Sequence, residues 1–207
     1  MRVTAETKAK TRERILEAAL KLFTGQGFEA TTTRDVAREA GIATGTLFNY
    51  FATKEEILAC QAHEALDSAR SDFERRAEEA ASFDEALFAY VAAGLRRLKP
   101  HRKHLPALLQ SALSPLAAAP SGEAVSLRVA FLESVAQLAE KHRVGELSPV
   151  ALQLAWTLYT GVLVFWAHDN SRKQEETLAL LDQSLRMFGG WLGIRSAEFG
   201  MRNEVRD

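Results

Sequence analysis

The sequence predicts an all-α protein of about nine helices, and three observations carry that expectation. A Ser or Thr followed three residues later by an acidic or amide side chain, the signature of a helix start, recurs at Thr32, Thr53, Ser82 and Ser171. Apolar residues between those starts return at steps of three and four. No stretch alternates with period two for long, so nothing supplies the faces of a sheet.

The first helix is expected from about Thr7 to Thr24, with Ile15, Ala18, Ala19, Leu22 and Phe23 as its inward stripe and Gly25-Gln26-Gly27 as its stop. The second opens at Thr32, where Asp35 can reach back to the cap. It presents Val36, Ala37 and Ala40 on one side and ends at Gly41, a residue free to adopt positive φ. A third short segment then turns Leu47 and Phe51 inward and leaves Thr44, Gly45, Thr46, Phe48, Asn49 and Tyr50 on other faces. Two short helices around a glycine turn, the second with that division of labour, read as a helix-turn-helix that enters a DNA groove.

Thr53 with Glu56 opens a long fourth helix reaching toward Ala80. Ser82 with Glu85 opens another, through Phe83, Ala86, Leu87, Tyr90, Val91 and Leu95, that stops before Pro100. His101 to Leu113 reads as a short helix bent near Pro106, residues 114–122 as a loop, and Glu123 to Lys141 as helix. The final pair is expected over Pro149 to Asp169, capped by Ser148, and over Lys173 to Trp191, capped by Ser171 with Gln174 as box partner.

The chain of 207 residues is 47% hydrophobic and 26% charged, which suits a soluble globular protein and excludes disorder. Its net charge of −1 is unevenly placed: residues 1–54 hold nine Lys and Arg against six Asp and Glu, a mildly basic end on an acidic remainder. The single Cys60 excludes an internal disulfide framework and reads as a small packed residue. The N-terminus lacks the apolar core of a secretory signal, so the cytoplasm is the expected location. Leu147 to His168 has no Asp, Glu, Lys or Arg and is long enough to span a bilayer. Its Ser, Pro, Gln, Thr and Gly residues, and its soluble-type cap, favour a helix buried on every side and no membrane association.

Residues 11–58 resemble the Tet repressor family of bacterial regulators. The pattern runs through RILEAALKLFTGQGFEATTTRDVAREAGIATGTLFNYFATKEEIL: Leu22-Phe23 at the end of the first helix, the Gly27-Phe28 corner, paired threonines, Val36-Ala37 before Ala40-Gly41, then Gly45-Thr46-Leu47 and Tyr50-Phe51 ahead of Lys54-Glu55. The resemblance implies a three-helix DNA-binding domain at 1–54, a helical effector-binding and dimerisation domain at 55–195, and a tail at 196–207. It also implies a dimer on a palindromic operator. Two departures stand out: Ala43 occupies a position where a capping Ser is common, leaving Thr44 as a substitute cap, and Phe48 replaces the usual Tyr.

Expected DNA contacts follow from chemistry and from the resemblance together. Lys54, a cation in the first turn of the fourth helix, is badly placed for the helix dipole and suits an anion such as phosphate. Thr44 and Thr46 can offer a hydroxyl to phosphate or a methyl to thymine, Gly45 permits close approach, Asn49 can pair with adenine, and Phe48 suits packing or a thymine methyl. The resemblance adds Tyr50, Thr33 and Arg34 as groups facing backbone or groove. Aromatic residues between Ser82 and Phe165, namely Phe88, Tyr90, Phe131, Trp156, Tyr159 and Phe165, are candidates to line a pocket for a small apolar or aromatic effector. Leu152, Leu163, Trp166, Leu178, Leu181, Leu185, Phe188 and Leu192 form apolar stripes that suit a four-helix bundle with a second copy or an internal core. His101 and His104, without nearby ligand partners, read as a solvated basic corner; no metal, cofactor or catalytic constellation is expected. The resulting expectation is a ligand-released repressor. The alternatives are a DNA-bound interaction protein without an effector and an enzyme with an appended reader.

Overall fold

Gly27 and Gly41, with φ of +92° and +65°, end the first two helices in a conformation that costs glycine nothing. The computed structural model describes residues 5–75, 82–106, 109 and 122–204, with backbone alone over 122–126 and 194–204. Among these there are eight α-helices and no strand: α1 Ala5–Gln26, α2 Thr33–Glu39, α3 Thr44–Phe48, α4 Lys54–Glu74, α5 Phe83–Leu98, α6 Gly122–Lys141, α7 Pro149–His168 and α8 Glu175–Glu204.

Caps place most of these starts. At α2 the box closes in both directions, Asp35 N donating to Thr32 Oγ1 at 3.2 Å and Thr32 N to Asp35 Oδ2 at 3.0 Å. At α4 Glu56 N donates to Thr53 Oγ1 at 3.1 Å, while the Glu56 carboxylate accepts from Ala52 N, one residue before the expected partner. Ser82 and Ser148 cap α5 and α7 as their spacing predicts. Ala43 precedes α3 without any side-chain cap and Thr44 is already the first helical residue, so the substitute cap is not formed.

Two other expectations are corrected. Ser171 and Gln174 do not make a capping box: a 3-10 turn over Arg172–Gln174 intervenes, Ser171 Oγ accepts from Glu176 N at 3.2 Å, and Gln174 Oε1 accepts from the Trp166 indole at 3.0 Å. The start of α8 is organised instead by buried Asp169, whose carboxylate accepts from Ser171 N, Thr177 N and Thr177 Oγ1. The helix expected at 101–113 is a 3-10 turn over Lys99–His104 followed by helical Leu105, Pro106 and Leu109; the rest, like residues 114–121 of the expected loop, lies outside the described residues, and Gly122 already belongs to α6.

The described residues form two compact units, one from residues up to 65 with 98–106, the other from 66–97 with 126–204. In the first, Ile15, Ala19, Phe23, Val36, Leu47, Ile57 and Leu58 are buried in one core, with Cys60 packed into it. In the second, Leu87, Val135, Trp166, Leu181 and Phe188 are almost fully enclosed. Gly189 touches Asp84 so closely that any Cβ there would meet the carboxylate. Helix α7 is long and apolar enough to cross a membrane by length and composition, yet Ala151, Ala155, Tyr159, Val162, Leu163 and Trp166 face the protein core. It is not buried on every side, as its sequence suggests: Val164 and Phe165 are exposed.

Candidate nucleic-acid interface

The turn between α2 and α3 is held from outside by α1. Arg14 donates through Nη2 to the carbonyls of Ala40 and Gly41, so a guanidinium satisfies the groups that a helix C-terminus leaves bare and its charge meets the negative end of the α2 dipole. Gln61 on α4 donates to Leu16 O on α1 at 2.7 Å. Sequence reasoning missed both clamps, because a polar residue on a helix does not declare which carbonyl it will meet.

Against this scaffold Leu47 and Phe51 point inward as expected, and Tyr50 packs its ring on the same core. Thr33, Thr44 and Thr46 are half-buried, while Arg34, Gly45, Asn49 and Phe48 are exposed, Phe48 at 51%. The other nearby cations have partners: Arg38 with Asp35, Lys21 with Glu39, Arg12 with Glu64. Arg34 has no ion pair or hydrogen bond among the described residues. Asp35 sits below the usual carboxylate range, chiefly through its bonds to Thr32.

Lys54 is where the arrangement departs most from the expectation of a bare phosphate grip. Its ammonium donates to Phe28 O at 2.8 Å and lies 4.4 Å from the centre of the Phe28 ring, with 19% of the side chain exposed. The cation at this helix start is met in part by carbonyls of its own chain. The corner it holds is also contacted by His104, whose ring lies 6.0 Å from Phe23 and 6.2 Å from Phe28. His101 and His104 are buried, which overturns the solvated basic corner, and the His104 ring packs beside Phe23 and Phe28. Burial, then each one's charged neighbour, lowers both pKa values from the ordinary imidazole range.

The effector candidates separate into those brought together and those left apart. Phe131 stacks on Tyr159 at 4.3 Å and touches Tyr90 and Trp156 at 6.2 and 5.7 Å, making one aromatic cluster. Burial raises the Tyr90 and Tyr159 phenol pKa values. Phe88 is half-buried outside those ring contacts, and Phe165 is 40% exposed. An apolar gap between α5, α6, α7 and α8, lined by Phe131, Tyr159 and Leu185 among others, has room for about 10 Å³, roughly one water. A wider groove of about 170 Å³ opens beside Phe73, Tyr90, Arg70 and Lys141.

Of the dimer-interface candidates, Leu163, Trp166, Leu181, Leu185, Phe188 and Leu192 are buried within their own unit, Leu152 is half-buried, and Leu178 alone is exposed. The periodic stripes thus build the internal core. Among the described residues, the large outward apolar side chains of α7 and α8 are Val150, Val164, Phe165, Leu178, Leu180 and Met187. Periodicity finds an apolar face but cannot say which of two faces is covered by the same chain. Among the described residues no cluster of His, Cys, Asp or Glu is arranged to hold a metal ion.

Residues 15–59, the span that builds this reader, match the family model for bacterial regulatory proteins of the tetR family. Residues 15–59 thus carry the DNA-binding region of that family. The regulator HbdR of Aromatoleum sp. (strain CIB) is 39% identical over 67 residues, 32% of this chain and 29% of the relative. The transcriptional repressor KstR2 of Mycolicibacterium smegmatis is 28% identical over 125 residues, 60% of each chain. The chain thus matches between about a third and three fifths of the length of these curated relatives. In fold, it is similar to the TetR-family transcriptional repressor FadR of Thermus thermophilus, solved with lauroyl-CoA, at a TM-score of 0.63 with 24% identity, covering 86% of this chain and 92% of that one.

Proposed function

We propose that this TetR-family chain is a transcriptional regulator that binds an operator as a dimer and represses. The observation that carries the reading is the reader itself: a recognition helix anchored by Leu47 and Phe51, with Gly45, Phe48 and Asn49 left to solvent. Thr33, Arg34, Thr44, Thr46 and Tyr50 complete the DNA-contacting set. Lys54 acts chiefly as a brace that sets the Phe28 corner, with its remaining hydrogen-bonding capacity available to phosphate. The work is done where bacterial DNA lies, in the cytoplasm, without a cofactor.

The dimer reading now rests on the outward residues Val164, Phe165, Leu180 and Met187 rather than on the buried stripes, since exposed apolar side chains on two neighbouring helices suit burial against a second copy. A small apolar or aromatic effector would enter among Tyr90, Phe131, Trp156 and Tyr159, prising open the present gap from the side of the groove at Tyr90. The lauroyl-CoA bound by Thermus FadR supports an elongated apolar compound. Domain limits at about 54 and 195 follow the same reading.

The closed gap favours a second reading, a DNA-bound protein that acts on a protein partner without an effector. Genomic footprinting with the full chain, repeated on purified DNA with candidate acyl and aromatic compounds, separates the two. Two-fold symmetric footprints with half-sites a helical turn apart support the dimeric regulator, and release by a compound supports the effector. Footprints that no stabilising compound weakens favour the protein-partner reading, and scattered occupancy without a shared sequence overturns both.

A further inference from the structure

The recognition segment has a chemical bias that family membership does not specify. Between Glu39 and Lys54 there is no Asp, Glu, Lys, Arg or His. Bidentate capture of guanine calls for Arg or Lys, and acceptance from the cytosine amino group calls for Asp or Glu. Neither is available on α3. What α3 and its C-cap expose instead is a phenyl ring at Phe48, 51% accessible, and the carboxamide of Asn49. Thr44 and Thr46 add two methyl groups and two hydroxyls at the half-buried positions of the same short helix. An aromatic ring and threonine methyls suit the thymine C5-methyl, and a carboxamide suits the N6 and N7 edge of adenine.

Neighbouring cations do not readily supply what α3 lacks. Arg38, Lys21 and Arg14 are held by Asp35, Glu39 and the α2 carbonyls, and Lys54 by Phe28 O. Exposure of Phe48 is informative in its own right, because the head core next to it is complete with Leu47 and Phe51 at 0% and 7%. About half of the residue's surface remains open to solvent.

We propose that the half-site facing α3 is read as A·T pairs, with Phe48 the specificity-determining residue that detects a thymine methyl and Asn49 the one that pairs with adenine, any guanine falling to Arg34 at the start of α2. This rests on the DNA-binding reading above.

The test starts with the full chain and randomised duplexes, from which bound sequences are enriched and aligned. Each thymine of the enriched half-site is then replaced by deoxyuridine, which removes the methyl and leaves pairing unchanged. At one thymine or more the substitution should weaken binding about fourfold, the worth of one buried methyl-sized group. In Phe48→Ala the same replacement should change affinity by less than about twofold, while the thermal unfolding of the variant stays at the wild-type temperature because the ring is exposed. Phe48→Leu should keep part of the discrimination, and Asn49→Ala should relax the preference for adenine. Enriched sites with G·C pairs at the positions sensitive to Phe48 or Asn49 would overturn the proposal, as would a deoxyuridine penalty that persists undiminished in Phe48→Ala. Failure to enrich any sequence would remove the DNA-binding reading itself, a different result from enrichment of a sequence that ignores the methyl.

Discussion

The two units of this chain hold themselves together by different means. In the head, directional bonds cross between elements: Arg14 to the α2 carbonyls, Gln61 to Leu16 O, Lys54 to Phe28 O. In the body, packed rings dominate, Tyr90, Phe131, Trp156 and Tyr159 among them, and much of the polar bonding is gathered at helix ends such as Asp169 and Ser148. A hydrogen bond to a named carbonyl fixes one register, whereas ring against ring tolerates sliding over several geometries. The difference is one of means: bonds to named carbonyls fix the turn before α3, while stacked and tilted rings fill the body's core.

The largest effect is expected where the body's core is charged. Leu185→Glu puts an unpaired carboxylate at a 6% exposed position and should cost about 3 to 5 kcal/mol, enough to abolish a cooperative melt. Met187→Glu, at a 67% exposed position two residues on, should melt normally and run as a monomer in light scattering. A dimeric Met187→Glu protein would move the interface off this face of α8.

Breaking a head clamp comes next. Lys54→Ala removes a charge-assisted bond to Phe28 O and should lower stability by about 1.5 to 3 kcal/mol, read by urea unfolding. If Lys54 also touches phosphate, the slope of log affinity against log salt falls by about one. Unchanged stability with a changed slope would mean that the clamp yields to DNA.

A smaller effect is expected from Thr32→Ala, which opens the α2 capping box at an exposed position and should cost about 1 kcal/mol in the same unfolding experiment. No change would show that Arg14 alone suffices to hold the turn.

The smallest effect is an acid sensitivity that differs between the units. His101 and His104 have lowered pKa values, so the folded head binds fewer protons than the unfolded chain, and stability falls as pH drops from about 7 through the ordinary imidazole value. Asp169 is held far below the carboxylate range by its bonds to Ser171 and Thr177, so its contribution is present above about pH 5 and is lost only at more acid pH. Chemical denaturation from pH 8 down to about 2 should therefore show two windows, and replacing both histidines by phenylalanine should remove the upper one alone. A single window unaffected by that replacement would contradict the buried assignment.

The same difference explains what the sequence discloses. Thr32 with Asp35, Gly27 and Gly41 act within a few residues of themselves, so the head's turns are legible from spacing. The fold class follows from caps and period and agrees with the structural relatives. Lys54, Arg14 and His104 act on partners tens of residues away in the chain, and nothing local marks that Lys54 meets a carbonyl or that a basic-looking histidine turn lies under Phe23. Leu178 and Leu185 show the limit most plainly: both lie on one periodic stripe, and only the packed structure tells that Leu185 is enclosed and Leu178 exposed.

The central claim is that the exposed face of α3 is a sequence reader, and the specificity ratio tests it most directly. Fluorescence anisotropy of the full chain at physiological salt, on an enriched duplex and on its scrambled counterpart, should give affinities at least about a thousandfold apart. Equal affinity for the two duplexes, with the same salt slope, would reduce the head to a phosphate-binding surface and contradict the account.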